Sequence, residues 1–98
     1  MTLPELIQAV KEKNLSKDQL EAYRDDLSNL YALMQLELAD IRKAKALWIF
    51  DSQEKSMAAK EVAWSASLQG QREIELSHWC KGSEKILSSL KSRLYSVY

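Results

Sequence analysis

Breakers and cross-links are scarce in this chain of 98 residues. It contains one proline, two glycines and one cysteine. With only Pro4, Gly70 and Gly82 to interrupt helices, and helix formers throughout, the composition implies an all-α chain. The lone Cys80 excludes an intrachain disulfide and fits a reducing, cytoplasmic setting. Long apolar runs are missing too. None exceeds the five residues of Ala46–Phe50, far short of the roughly 20 residues that a membrane-spanning helix needs. No basic lead followed by an apolar core opens the sequence, so no signal peptide is expected. An excess of either charge is also absent: 14 basic side chains face 14 acidic ones, which gives no bulk drive towards nucleic acid or membrane. The distribution is uneven, however. Residues 1–40 hold four basic and eight acidic side chains, and residues 41–98 hold ten basic and six acidic, so an acidic front joins a basic back.

Enzymatic constellations are missing as well. There is no Gly-rich phosphate loop, no HExxH, and only one histidine. His78 and Cys80 stand two residues apart on a predicted helix and point to different faces, so they share neither a metal nor a base–nucleophile pair. Cys80 reads as a small core residue and His78 as a surface one. The adjacent Asp25 and Asp26 read as a solvated face. The chain is expected to be non-enzymatic, with no cofactor and no metal site.

What is present is periodicity. Residues 16–50 read as one long helix, with Leu20, Tyr23, Leu27, Leu30, Met34, Ile41, Ala44 and Trp48 at three-four spacing. Only Glu37 interrupts that stripe. Ser16-Lys-Asp-Gln19 fits a capping box at its start. Before it, residues 1–15 hold a short helix capped by Thr2, with Pro4 in the first turn and an end near Lys13–Asn14. After it, residues 51–68 read as a connector. Asp51 can cap a third helix over Lys55–Ser67, with Glu54 three residues on, or the long helix can run unbroken to about Ser65. Ser67-Leu-Gln-Gly70 punctuates the second half. A last helix over 70–98 follows, with Leu76, Cys80, Ser83, Leu87, Leu90, Leu94 and Val97 on one seam and Ile74 and Ile86 beside it. Gly82 inside that seam costs about 1 kcal/mol relative to alanine and suggests a close helix approach or a kink.

Two long seams and a connector imply a single domain: an antiparallel helical hairpin with a short N-terminal and a short connecting helix. Tyr31, Leu38, Leu47, Ile49, Trp79 and Ile86 lie off the main stripes. That uncovered apolar surface implies self-association through coiled-coil-like seams. The candidate assembly residues are Leu76, Cys80, Ile86, Leu87, Leu90 and Leu94.

Among the cations, Lys17, Lys43, Arg72 and Lys81 have acidic partners three or four positions away, namely Glu21, Asp40, Glu75 and Glu84. Arg42, Lys45, Lys85, Lys91 and Arg93 have none. Solubility alone explains unpaired cations, since surface pairs are worth only about 0.5 kcal/mol. A functional reading comes from their neighbours. Arg42 lies one turn from Lys45, and Lys45 one turn from Trp48 and Ile49; Lys91 likewise lies one turn from Leu94 and Tyr95, with Tyr98 one turn further on. Cations beside aromatic rings suit single-stranded nucleic acid, with charge meeting phosphate and ring meeting base. Trp48 also sits on the core seam, and Trp64 and Trp79 could equally anchor a protein interface.

The stretch Arg42-Lys-Ala-Lys-Ala-Leu-Trp-Ile-Phe resembles the UvsY recombination mediators of tailed phages, which carry a Lys-Ala-basic segment followed by aromatics. Trp64-Ser-Ala-Ser-Leu-Gln, Trp79, Ser83 and Ile86-Leu-Ser-Ser-Leu-Lys-Ser-Arg93 are similar to that family's C-terminal pattern. The likeness covers about residues 38–97. The acidic first helix has no counterpart, and the family's glycine after the aromatic pair is absent. The resemblance implies a homo-oligomer, a ring in the family, that binds single-stranded DNA and helps load a recombinase onto DNA covered by a single-strand binding protein. It places Lys43 and Lys45 on the family's basic pair, Trp48 on the aromatic after it, and assembly in Ile86–Val97. The DNA-binding candidates are thus Arg42, Lys43, Lys45, Trp48, Lys91 and Arg93. The alternative is a coiled-coil adaptor or inhibitor acting through protein contacts only. The small secreted hairpins with a Trp-x-Gly turn are a poorer fit, because Trp48-Ile-Phe and Trp64-Ser-Ala lack the glycine.

Overall fold

A computed structural model describes residues 2–53 and 56–97, with the Val97 side chain excepted. The described residues form four helices: α1 (Leu3–Val10), α2 (Lys17–Asp51), α3 (Met57–Ala66) and α4 (Leu68–Val97). The chain is all-α. It measures 57 × 21 × 17 Å, and the 35 residues of α2, about 52 Å at the usual helical rise, run nearly the full length.

Local chemistry sets the helix ends. The Thr2 hydroxyl accepts from the Glu5 amide and Pro4 occupies the first turn of α1. At α2 the capping box is complete: Gln19 N–H donates to Ser16 Oγ at 3.1 Å, and Ser16 N–H donates to Gln19 Oε1 at 2.9 Å. Helix α1 stops at Val10, short of the expected Lys13–Asn14. The Arg93 guanidinium explains why, donating to the Val10 carbonyl at 2.8 Å and the Glu12 carbonyl at 2.7 Å. These are acceptors that the end of α1 leaves open.

The long helix does break after Asp51. Asp51 is its last residue rather than a new cap, and Ser56 caps α3 through the Ala59 amide at 3.0 Å. The expected partner Glu54 and the expected start at Lys55 lie outside the described residues, as do Tyr98 and the Val97 side chain. The next junction falls at Ser67, three residues before Gly70. Ser67 N–H donates back to the Trp64 carbonyl, and Ser67 Oγ accepts from the Gly70 amide at 3.0 Å. One serine thus ends α3 and begins α4. Gly70 lies inside the first turn of α4, where a Cβ would stand 1.9 Å from the Trp64 carbonyl oxygen. Its role is close backbone approach. Gly82 differs from expectation: a Cβ there meets nothing within 4 Å, and α4 runs through it.

Packing follows the two seams. Leu20 and Leu27 of α2 are buried with Leu90 and Leu94 of α4, under Leu6 of α1. Further along α2, Met34 and Leu38 are buried with Leu76 and Cys80. Rising numbers on α2 therefore meet falling numbers on α4. Leu38, expected off the stripe, is core at 3% exposure, whereas Ala44 and Trp48 are only half-buried. The reason is helical drift. A straight helix turns about 20° per heptad away from a strict seven-residue repeat, so the buried line steps from Met34 to Leu38 rather than to Glu37. Tyr31 donates to Glu84 across the pair, which raises its pKa because the phenol proton is held by a carboxylate.

The two glycines are expected to respond oppositely to alanine. Gly70→Ala should lower the denaturation midpoint sharply through its backbone clash. Gly82→Ala should stabilise by about 1 kcal/mol on helix propensity. Urea titration of both variants measures this, and a harmless Gly70→Ala would contradict the close approach at Trp64.

Candidate functional site

Trp64 is the anchor of the far end. It is 1% exposed, its ring meets Trp48 at 5.7 Å with the planes tilted by 51°, and its Nε1 donates to Glu73 Oε1 at 3.0 Å. Glu73 is the hub of that end. Arg42 Nε lies 3.7 Å and Lys45 Nζ 3.9 Å from its carboxylate, and Lys45 Nζ also pairs with Glu61 at 2.9 Å. Lys60 adds a hydrogen bond to the Ile49 carbonyl. Charges and an indole thus fasten α3 into the angle between α2 and α4.

This arrangement splits the six DNA-binding candidates. Arg42 and Lys45 face carboxylates of their own chain. Trp48 is half-buried against Trp64, with only part of its ring free. Arg93 caps α1. Lys43 and Lys91 remain exposed, and the structure gives neither an ion pair among the described residues. Lys43 takes no salt bridge from Asp40, although helical spacing suggested one. The six residues form no single surface. Lys91 instead borders a separate hollow of about 420 Å³ with Arg24, Ser28, Leu87, Leu94 and the exposed Tyr95.

The assembly candidates lie largely inside the chain. Leu76, Cys80, Leu90 and Leu94 are buried against α1 and α2, and Ile86 and Leu87 pack at the edge of that core. Burial also holds the Cys80 thiol above its usual pKa, with the nearby Glu84 charge adding to the effect, so thiolate chemistry is suppressed. His78 is exposed, and no cluster of three metal-ligating side chains occurs among the described residues. Among the described residues, no helix is long and apolar enough to cross a membrane.

Arg72 draws together features that sequence spacing separated. It forms a paired contact with Glu37 at 2.9 and 3.0 Å, reaches Glu75 at 3.2 Å, and lies 5.3 Å from the centre of the Trp79 ring. The hydrogen bonds from Arg72 lower the Glu37 pKa, and Glu37 raises that of Arg72 in turn. The apparent flaw in the α2 stripe is therefore a cross-helix clamp.

The surface feature that the sequence reading meets only at Leu47 is the outer side of α2. Leu33, Leu36, Leu47 and Phe50 are 63%, 65%, 62% and 86% exposed. Four large apolar side chains on one helix face, away from the core, form a patch of the kind that marks interaction sites. A second three-four spacing on the same helix was the signal that could have revealed it.

No family model, no curated protein and no solved structure matches this chain.

Two measurements check this geometry. Cys80 should react with a small aromatic disulfide at neutral pH at least about tenfold more slowly when folded than in denaturant. Equal rates would contradict its burial. The Glu37 pKa is lower folded than unfolded, so the pair stabilises above the ordinary carboxylate range, and that contribution is lost as pH falls through the folded value. Glu37→Gln should flatten the acid limb of stability against pH. The change should be small, because both side chains are more than a third exposed.

Proposed function

We propose that this chain is a non-enzymatic, oligomeric helical adaptor: an antiparallel hairpin of α2 and α4, braced by α1 and α3, that acts through helix–helix contacts with other protein chains. The observation that carries this reading is the exposed apolar face of α2. A helix that keeps four large apolar side chains in water beside a completed core offers a surface that gains by being covered. The same reading accounts for the cations. Arg42, Lys45 and Arg93 are engaged within the chain, where they fasten helices, and a near-neutral subunit has little long-range attraction for a polyanion. A reducing cytoplasm suits the free Cys80.

The second reading is a single-stranded DNA-binding recombination mediator, as the likeness to the UvsY family implies. The hollow bordered by Arg24, Lys91 and Tyr95 favours it, because Lys91 beside an exposed ring offers a charge for a phosphate and a surface for a stacked base, with Arg24, itself paired to Asp25 at 3.2 Å, on the rim. In that reading Lys43 and Lys91 supply the free charges, a ring of subunits aligns them, and a recombinase and a single-strand binding protein are the protein partners.

Tryptophan fluorescence during titration with a single-stranded oligonucleotide separates the two. The adaptor reading expects no saturable change at low salt. Quenching that saturates at low salt, reverses at high salt and weakens in Lys43→Ala with Lys91→Ala would overturn it in favour of the DNA-binding mediator.

A further inference from the structure

The outer face of α2 has an internal symmetry that names its occupant. Read along the helix, the face consists of Leu33, Leu36, Asp40, Lys43, Leu47 and Phe50, at alternating steps of three and four. All six side chains are exposed. Neither Asp40 nor Lys43 takes an ion pair within the chain among the described residues. The stripe is bounded at both ends. The preceding positions on the same line are Asp26 and Asn29, and α2 ends one residue after Phe50. Ala32, Ala39 and Ala46 run along one flank at seven-residue steps, all exposed, so nothing bulky on that side holds a neighbouring helix away.

The pattern reads the same from either end, two apolar residues, a charged pair, two apolar residues, except that the charge reverses. Lay a second copy of α2 antiparallel on the first, with a two-fold axis passing between Ile41 and Arg42. Leu33 then faces Phe50 of the other copy, Leu36 faces Leu47, and Asp40 faces Lys43. The axis repeats each pairing, so both charged pairs are satisfied at the centre of the contact. The alternatives fail on charge. A parallel pair sets Asp40 on Asp40 and Lys43 on Lys43. Sliding the antiparallel pair by one heptad sets Asp40 against Leu36 and Lys43 against Leu33, or Asp40 against Phe50 and Lys43 against Leu47. Each choice leaves charges repelling one another or unpaired against hydrocarbon. Two charges inside an otherwise apolar seam are what specifies register and orientation in paired helices.

We propose that the outer face of α2 is a homodimer interface in which two copies of this chain pair antiparallel across residues 33–50, with Asp40 of each copy bridged to Lys43 of the other. The proposal rests on the adaptor reading above and supplies its first partner, a second copy of the chain. It moves self-association from the buried α4 seam to the solvent side of α2. The contact is isologous and closes on itself, as a two-fold interface must. It covers on the order of 1,000 Å² in total, the lower end for a specific interface, so the dimer should form in a concentration-dependent way.

The test is the mass of the whole chain by sedimentation equilibrium across a wide concentration range. Wild type should move from monomer to dimer. Asp40→Lys alone and Lys43→Asp alone should each weaken dimerisation by about tenfold or more, and the two together should restore it, because the double exchange recreates both pairs with the signs reversed. Leu36→Glu should leave a monomer with unchanged helical circular dichroism, since the side chain is outside the core. A chain that stays monomeric throughout, or a double exchange no better than the single ones, would overturn the proposal. A double exchange that fails while the dimer persists overturns this interface alone, whereas a chain that stays monomeric also removes self-association from the adaptor reading and leaves its contacts with other proteins to be judged against the DNA titration. Salt-reversible quenching by DNA would remove that reading without altering the mass.

Discussion

Burial of one apolar stripe of α2 against α4 is the contact on which everything else in this molecule depends. Leu20, Leu27, Met34 and Leu38 have no other means of leaving water, and Leu76, Cys80, Leu90 and Leu94 complete the exchange. α1 covers one end, held at its C-terminus by Arg93. α3 covers the other, held by Trp64 and by the charges around Glu73. Each brace adds a few directional bonds to an apolar contact. A chain of this size has little core to spare, so the directional bonds decide which ends are closed and which faces stay open.

Long helices impose a further constraint. α2 is wide enough to carry two apolar stripes, and the chain supplies only one partner helix. The inner stripe is satisfied inside the molecule. The outer one, with Leu36 and Leu47 on either side of Asp40 and Lys43, is left in solvent. Between them the polar faces do structural work, as Glu37 with Arg72 and Lys45 with Glu61 show. The basic residues that suggest a nucleic-acid surface are in part the fasteners of the fold, and among the described residues only Lys43 and Lys91 of that group meet no carboxylate or carbonyl of the chain.

Much of the fold was legible in the sequence because its signals are local. The Ser16–Gln19 capping box, the Thr2 cap and the seam through Leu76, Cys80, Leu90 and Leu94 depend on spacing alone. What was not legible depends on neighbours distant in the chain. Arg42 and Lys45 looked unpaired because spacing on one helix reveals only partners three or four residues away, whereas Glu73 and Glu61 come from other helices. The end of α1 was misplaced because its cap, Arg93, is more than 80 residues away. A strict seven-residue repeat places Leu38 on the wrong side because that repeat drifts on a straight helix. Gly70 reads as a helix breaker in the sequence, and its use, letting the Trp64 carbonyl come close, exists only once α3 meets α4. The outer stripe of α2 was present in the spacing, but it was obscured by the stronger inner one.

Of the two apolar seams of α2, one closes within the chain, and we propose that the other closes between chains. An isotope-filtered nuclear Overhauser experiment on a mixture of labelled and unlabelled chains tests it directly. Methyl contacts between Leu36 and Leu47 should appear between different molecules, and those between Leu27 and Leu90 only within one. Intermolecular contacts from Leu27 to Leu90, with none from Leu36, would contradict the account and place the shared surface in the α2–α4 seam instead.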